Sequence, residues 1–248
     1  MLLSKLNKNL GITLFNNPNT LNYNLFNFFF KKNLTNSNDS EMKRYHELGF
    51  LRPNINSLKL SEFLSSKIKN NKIKKNRKLS NEYSTFFEIE DDMKEEIKIH
   101  LKNDFKDVIE SFKEYYRCDI VVANIDLKRN YGIKQISHYQ ERETTKELEF
   151  YNNFFHCDYY TMNYFKLFIN LQEITPEDGP LTFYSINDTK KFVKKSLYKN
   201  RNNYKKLELG SEIRNCGKIG DSLFLNTTQC AHRASTPKFG NTRDVLFV

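Results

Sequence analysis

The chain has 248 residues, with 40 Lys and Arg against 30 Asp and Glu, giving a formal charge of +10 and a pI near 9.2. Aromatic residues at 14% are too plentiful for a disordered polar chain, and 8 Gly with 4 Cys exclude a collagen or a disulfide-stapled miniprotein. No apolar run approaches the ~20 residues of a membrane-spanning helix, so no membrane span is expected.

Basic charge by itself suggests nucleic acid. Here Lys, Asn, Ile, Phe and Tyr are all heavily used while Gly, Ala, Pro and Trp are scarce, which is the composition an AT-rich coding sequence gives. Acidic residues are interleaved with the basic ones, and no nucleic-acid partner is expected. The opening Met1-Leu2-Leu3-Ser4-Lys5-Leu6-Asn7 lacks the apolar stretch of a secretory signal. Cys118, Cys157, Cys216 and Cys230 form no C-x-x-C pair, and a reduced, cytoplasmic setting is expected.

Residues 1–40 hold eleven Asn and show little periodicity; this Asn-rich segment is expected to be poorly ordered, with Phe26 to Phe30 docking on the core. Glu41 to Leu51 reads as a helix ended by Gly49, and Leu58 to Ile68 as another with Leu60, Phe63, Leu64 and Ile68 on one face. The Lys/Asn-rich run Lys67 to Lys78 reads as a solvated loop. Asp91 to Tyr116 carries helical spacing, with a second helix capped near Asn103-Asp104. The β-branched run Ile120 to Ile125 predicts a strand, followed by strands at Ile133 to Tyr139 and Leu148 to Phe155. Tyr164 to Ile174 alternates, with Leu167, Ile169 and Leu171 on one face and Lys166, Phe168 and Asn170 on the other. Pro176 to Pro180 is a turn, with Leu181 to Tyr184 as the partner strand of the preceding one. Asp188 to Tyr198 reads as a basic helix. Ser222 to Leu225, Ala231 to Ser235 and Arg243 to Val248 close the chain as short strands. Helices first and many short strands afterwards make an α+β chain whose second half is a β-sandwich or barrel.

His156-Cys157-Asp158 follows a strand-like run, so His156 and Asp158 share a face. His232 lies on another expected strand 74 residues after Asp158. Two imidazoles and one carboxylate are the set that holds non-haem Fe(II) while leaving positions open. A 2-oxo acid chelating such a metal carries a distal carboxylate that needs a cation. Arg243, eleven residues after His232, offers a bidentate guanidinium. Lys166 is on the face opposite the apolar set, where it reads either as a solvated lysine or as one reaching into the barrel. Cys157 and Cys230 read as packing residues directed away from the metal, and His46, His100 and His138 as solvated or packed. Tyr139, Tyr159 and Tyr160 are weaker candidates for a pocket wall.

Taken in order, these pieces resemble the phytanoyl-CoA dioxygenase family of Fe(II)/2-oxoglutarate-dependent oxygenases. The matching elements are Tyr45-His46-Glu47-Leu48-Gly49-Phe50; His156-Cys157-Asp158; Lys166 to Leu171 with Glu177-Asp178-Gly179-Pro180-Leu181; Gly220-Asp221-Ser222-Leu223-Phe224; and Cys230-Ala231-His232-Arg233-Ala234-Ser235 followed by Arg243. The resemblance implies a double-stranded β-helix (jelly-roll, cupin-like) core with flanking N-terminal helices over residues 41–248. It implies Fe(II) held by His156, Asp158 and His232, and 2-oxoglutarate as co-substrate, bound by Arg243 with Lys166 beside it. The intact Asp158 implies hydroxylation of a small-molecule substrate with O2, releasing succinate and CO2. Two features depart from the family. Ala234 stands where Ser or Thr often helps to hold 2-oxoglutarate, with Ser235 expected on the opposite face. Tyr184-Ser185-Ile186-Asn187-Asp188 replaces the usual Pro-Gly-Ser-His ending. A basic anion- or nucleic-acid-binding protein, and a cupin-like metalloenzyme without 2-oxoglutarate, are the competing readings; the spacing from His232 to Arg243 argues against the second, and the first predicts steeply salt-dependent binding without 2-oxoglutarate consumption.

Overall fold

The computed structural model describes residues 39–81, 83–132, 155–158, 164–194 and 211–248. The expectations for the Asn-rich segment up to residue 38, the strands at 133–139 and 148–154, the tyrosines at 139, 159 and 160, and the end of the basic helix lie outside these residues.

Helix α1 (Ser40–Leu48) starts where the Asp39 carboxylate accepts from the Glu41 and Met42 N–H groups at 2.9 and 3.0 Å. It stops at Gly49, whose φ of 81° is left-handed; a Cβ there would also stand 2.6 Å from Ile186 Cγ1. Strand β1 (Phe50–Leu51) and helix α2 (Leu58–Lys69) follow, α2 burying Leu60, Leu64 and Ile68 as the spacing predicts. After β2 (Ser84–Phe87) come α3 (Asp91–Asp104) and α4 (Lys106–Tyr116), which meet at Phe105; neither Asn103 nor Asp104 caps α4.

The remaining strands are β3 (Asp126–Tyr131), β4 (Lys166–Asn170), β5 (Leu181–Phe183), β6 (Ile213–Arg214), β7 (Ser222–Leu225), β8 (His232–Ala234) and β9 (Thr242–Phe247), with helix α5 (Ile186–Lys194) after β5. They form two antiparallel sheets, a larger one ordered β1-β7-β4-β9-β3-β2 and a smaller one ordered β6-β5-β8. The architecture is mixed helix and antiparallel sheet, and no helix of the described residues is long and apolar enough to cross a membrane.

Alternation gives each face of the large sheet its own task. Leu127, Leu167, Ile169, Phe224 and Leu246 face the helices and share a core with Tyr45, Leu64, Ile97 and Phe112. Phe112 stacks on Phe165 with centroids 4.4 Å apart and meets Tyr45 edge-on at 4.8 Å. Phe168, Leu223, Leu225 and Val245 face the small sheet, packing with Phe50, Leu181 and Phe183. Beside this apolar layer the two sheets leave a cavity. On the opposite face from the cavity, Arg129 and Asp244, paired across β3 and β9, form a two-point ion pair at 2.6 and 2.7 Å that pins the register of Arg243.

Two expectations need correction. Ile120 to Ile125 is not a strand: the strand begins at Asp126, where β2 and β9 supply hydrogen-bonding partners. The β-branched run instead borders an apolar cavity with Phe105, Ile109 and Phe165, and Val121 is 80% exposed. Leu181 to Tyr184 is not the hairpin partner of β4. The turn Pro176–Asp178, ended by the left-handed Gly179, carries the chain to the other sheet, where β5 pairs with β6 and β8.

Candidate metal centre

His156 sits at the rim of the small sheet. Its N–H donates to the His232 carbonyl at 3.0 Å, and the His232 N–H donates back at 2.8 Å, so the two histidines are directly opposed backbone neighbours. The Asp158 N–H donates to the Thr227 carbonyl at 2.8 Å. Pleating then directs both imidazoles and the carboxylate to one place and buries Cys157 on the other side. Cys230 is likewise buried, its Sγ 3.6 Å from the carbonyls of Leu48 and Gly49.

Asp158 Oδ1 lies 3.8 Å from His156 Nε2 and 3.9 Å from His232 Nε2. The three donor atoms lie within 4.8 Å of one another, a set that could hold a metal ion. The donor chemistry fits. His232 Nδ1 is 3.0 Å from the Cys230 carbonyl, which can only accept, so the proton is on Nδ1 and Nε2 presents its lone pair. Burial, reinforced by the His156 ring, pushes the His232 pKa down to about 3, and the imidazole is neutral as a ligand must be. Burial opposes ionisation of Asp158, yet its carboxyl is held below the usual carboxylate value; with His232 neutral, the charged neighbour that does this is the Lys166 ammonium.

The cavity above this set has a volume of about 150 Å³. His156, Asp158, His232, Ala234 and Leu181 line one side, and Lys166, Phe168, Arg243 and Val245 from β4 and β9 line the other. Arg243 is 7% exposed and donates from Nη1 to the Gly179 carbonyl, which fixes the guanidinium. Lys166 Nζ is 2.7 Å from Asp158 Oδ2. Ala234 faces the cavity, while Ser235 Oγ is 2.7 Å from Thr182 Oγ1. All five residues singled out in the sequence therefore meet in one cavity.

Lys128 was not visible in the sequence as a site residue. It lies on β3 in the same cavity, its Nζ 4.8 Å above the Phe86 ring, and burial followed by the positive charge of Arg243 lowers its pKa to about 8. It belongs to no motif. The run Asp126 to Tyr131 has no apolar alternation to mark it as a strand, and the sequence predicts the strand one segment earlier.

The fold and this cavity define a class of architecture, a helix-backed pair of antiparallel sheets holding a His-Asp-His set. No family model matches the chain, and neither does any curated protein. Solved structures share the fold. EctD from S. alaskensis, crystallised with 2-oxoglutarate and 5-hydroxyectoine, is 14% identical with a TM-score of 0.55, over 85% of this chain and 76% of that one. SnoK, a non-heme alpha ketoglutarate dependent carbocyclase from nogalamycin biosynthesis, is 10% identical with a TM-score of 0.54, over 86% and 83%. HygX from Streptomyces hygroscopicus, with nickel, 2-oxoglutarate and hygromycin B bound, is 11% identical with a TM-score of 0.52, over 85% and 86%. At these identities the likeness is one of fold.

Proposed function

We propose that residues 41–248 form an Fe(II)- and 2-oxoglutarate-dependent dioxygenase that hydroxylates a small molecule. The two facing sheets are read as a double-stranded β-helix of the phytanoyl-CoA dioxygenase type. The observation that carries the proposal is the pairing, across one cavity, of two imidazole nitrogens and a carboxylate oxygen with the buried Arg243 and the half-buried Lys128. His156, Asp158 and His232 would hold the metal. Arg243 and Lys128 together suit the distal carboxylate of a dicarboxylic co-substrate, whose 2-oxo acid end reaches the metal. Bound iron with 2-oxoglutarate supplies the oxidising power for inserting oxygen from O2 into a C–H bond, with succinate and CO2 released. The chain contributes placement. Phe168, Val245 and Phe247 make the cavity wall apolar and limit water, and the fixed tautomer of His232 keeps its donor atom available. A nucleic-acid role is disfavoured because the cations of the site, Lys128, Lys166 and Arg243, line a cavity.

Anaerobic titration with Fe(II) and then 2-oxoglutarate tests the class. The expected result is the visible charge-transfer absorption of a 2-oxo acid chelated to Fe(II), and its absence at saturating concentrations of both would sink the assignment.

A pH dependence follows from Lys128. The free protein loses the Lys128 proton as pH rises through about 8, whereas a bound carboxylate retains it towards the ordinary value of 10.5. Affinity for 2-oxoglutarate should therefore be highest below about pH 8 and fall by up to about tenfold per unit above it. The fall should vanish in Lys128→Met. An unchanged slope in that variant assigns the effect elsewhere.

A further inference from the structure

We propose that Lys166 is a positioning residue that restricts Asp158 to ligation through one oxygen, an inference that rests on the metal-centre reading above. The two oxygens of Asp158 have separate surroundings. Oδ1 faces the two imidazoles at 3.8 and 3.9 Å. Oδ2 accepts from the Lys166 ammonium at 2.7 Å. The two side chains are only 19% and 14% exposed, so solvent and salt screen the pair weakly.

The grip comes from two elements that cannot drift independently. Lys166 opens β4, whose register is fixed by pairing with β7 at Leu225 and, two residues on, with β9 at Phe247. Asp158 is tied by its own backbone to Thr227. The ion pair therefore spans the gap between the strand that carries Lys166 and the segment that carries the ligands, and it sets the rotation of the carboxylate about its last bond.

That rotation matters chemically. A carboxylate with one oxygen held by an ammonium offers a metal the other oxygen alone. A released carboxylate can swing and chelate with both. With two imidazoles and one oxygen, a six-coordinate metal keeps three positions for exchangeable ligands; with both oxygens it keeps two. A bidentate 2-oxo acid together with O2 needs three. The ammonium also draws charge from the carboxylate and weakens it as a donor, so metal affinity is lower than the same three ligands would give without Lys166. This differs from the direct co-substrate contact expected from the sequence, since the Lys166 ammonium lies on a metal-ligand oxygen.

The test uses Mn(II), whose bound waters are counted by water-proton relaxation, on the full chain without co-substrate. The wild-type protein should bind one Mn(II) carrying three exchangeable waters. Lys166→Met should bind Mn(II) at least as tightly, with two waters and an inner-sphere relaxivity lower by about one third. Lys166→Arg, which keeps a charged donor, should restore three. A wild-type water count in Lys166→Met overturns the proposal while leaving the metal centre standing, and so does loss of Mn(II) binding by a folded Lys166→Met. Two waters on the wild-type complex overturn it without any variant, which decides the matter if the methionine variant does not fold. Failure of wild-type protein to bind Mn(II), Fe(II) or Ni(II) removes the metal-centre reading itself.

Discussion

Replacing His232 with alanine is expected to abolish Fe(II)-dependent succinate formation and to weaken metal binding by more than about 100-fold, with the fold retained. The size follows from what the side chain does. Disturbing a hydrogen bond one layer outside a metal ligand already costs about 10–100-fold in affinity, and His232 is itself a proposed donor. The fold survives because the ladder hydrogen bonds between His156 and His232 are made by backbone atoms, which alanine keeps. The variant also loses the Nδ1 hydrogen bond to the Cys230 carbonyl, a cost of about 1 kcal/mol that a modest fall in melting temperature would register. Calorimetric titration with Fe(II) under nitrogen, beside a succinate assay, gives both numbers. Turnover at the wild-type rate in His232→Ala refutes the assignment of the ligand set.

Arg243→Leu should separate the co-substrate from the metal. Metal affinity is expected to stay within a fewfold of wild type, because the guanidinium is held by the Gly179 carbonyl and is not one of the three donor residues. The dissociation constant for 2-oxoglutarate should rise by about 100-fold or more. Truncating one partner of a buried charge pair costs about 2–5 kcal/mol, and about 3 kcal/mol corresponds to roughly 150-fold. Arg243→Lys should recover part of the loss, since lysine restores the charge without the planar fork. Removing Arg243 also relieves Lys128 of a neighbouring positive charge, so some binding through Lys128 should persist, and adding Lys128→Met should eliminate it. Wild-type affinity for 2-oxoglutarate in Arg243→Leu would move the anchor away from this strand.

Much of the site was legible because its pieces are short-range or strictly periodic. His156 and Asp158 share a face through the two-residue repeat of extended chain, and the repeat from Lys166 to Leu171 assigned both faces of β4 correctly. Helix α2 announced itself through Leu60, Leu64 and Ile68. What the sequence left dark depends on partners distant along the chain. Strand pairing is one case. Leu181 to Phe183 sits just past a turn, yet it joins the other sheet because β6 and β8 offer ladders there. The segment Ile120 to Ile125 is another. Its β-branched residues favour extended chain, but a strand also needs a neighbour to bond with, and the neighbours stand beside Asp126 to Tyr131. Lys128 was hidden for the same reason. A lysine in a lysine-rich chain carries no signal until its strand is placed.

The metal-ligand candidates belong to the small sheet and its rim, while Arg243 and Lys128 belong to the large one. The apolar layer of Phe50, Phe183, Leu223 and Leu225 that joins the sheets therefore acts as a spacer between two jaws. On the proposed reading, a co-substrate gripped at both ends would be measured against that spacer, and the length of dicarboxylic acid accepted would be set by core residues outside the cavity lining.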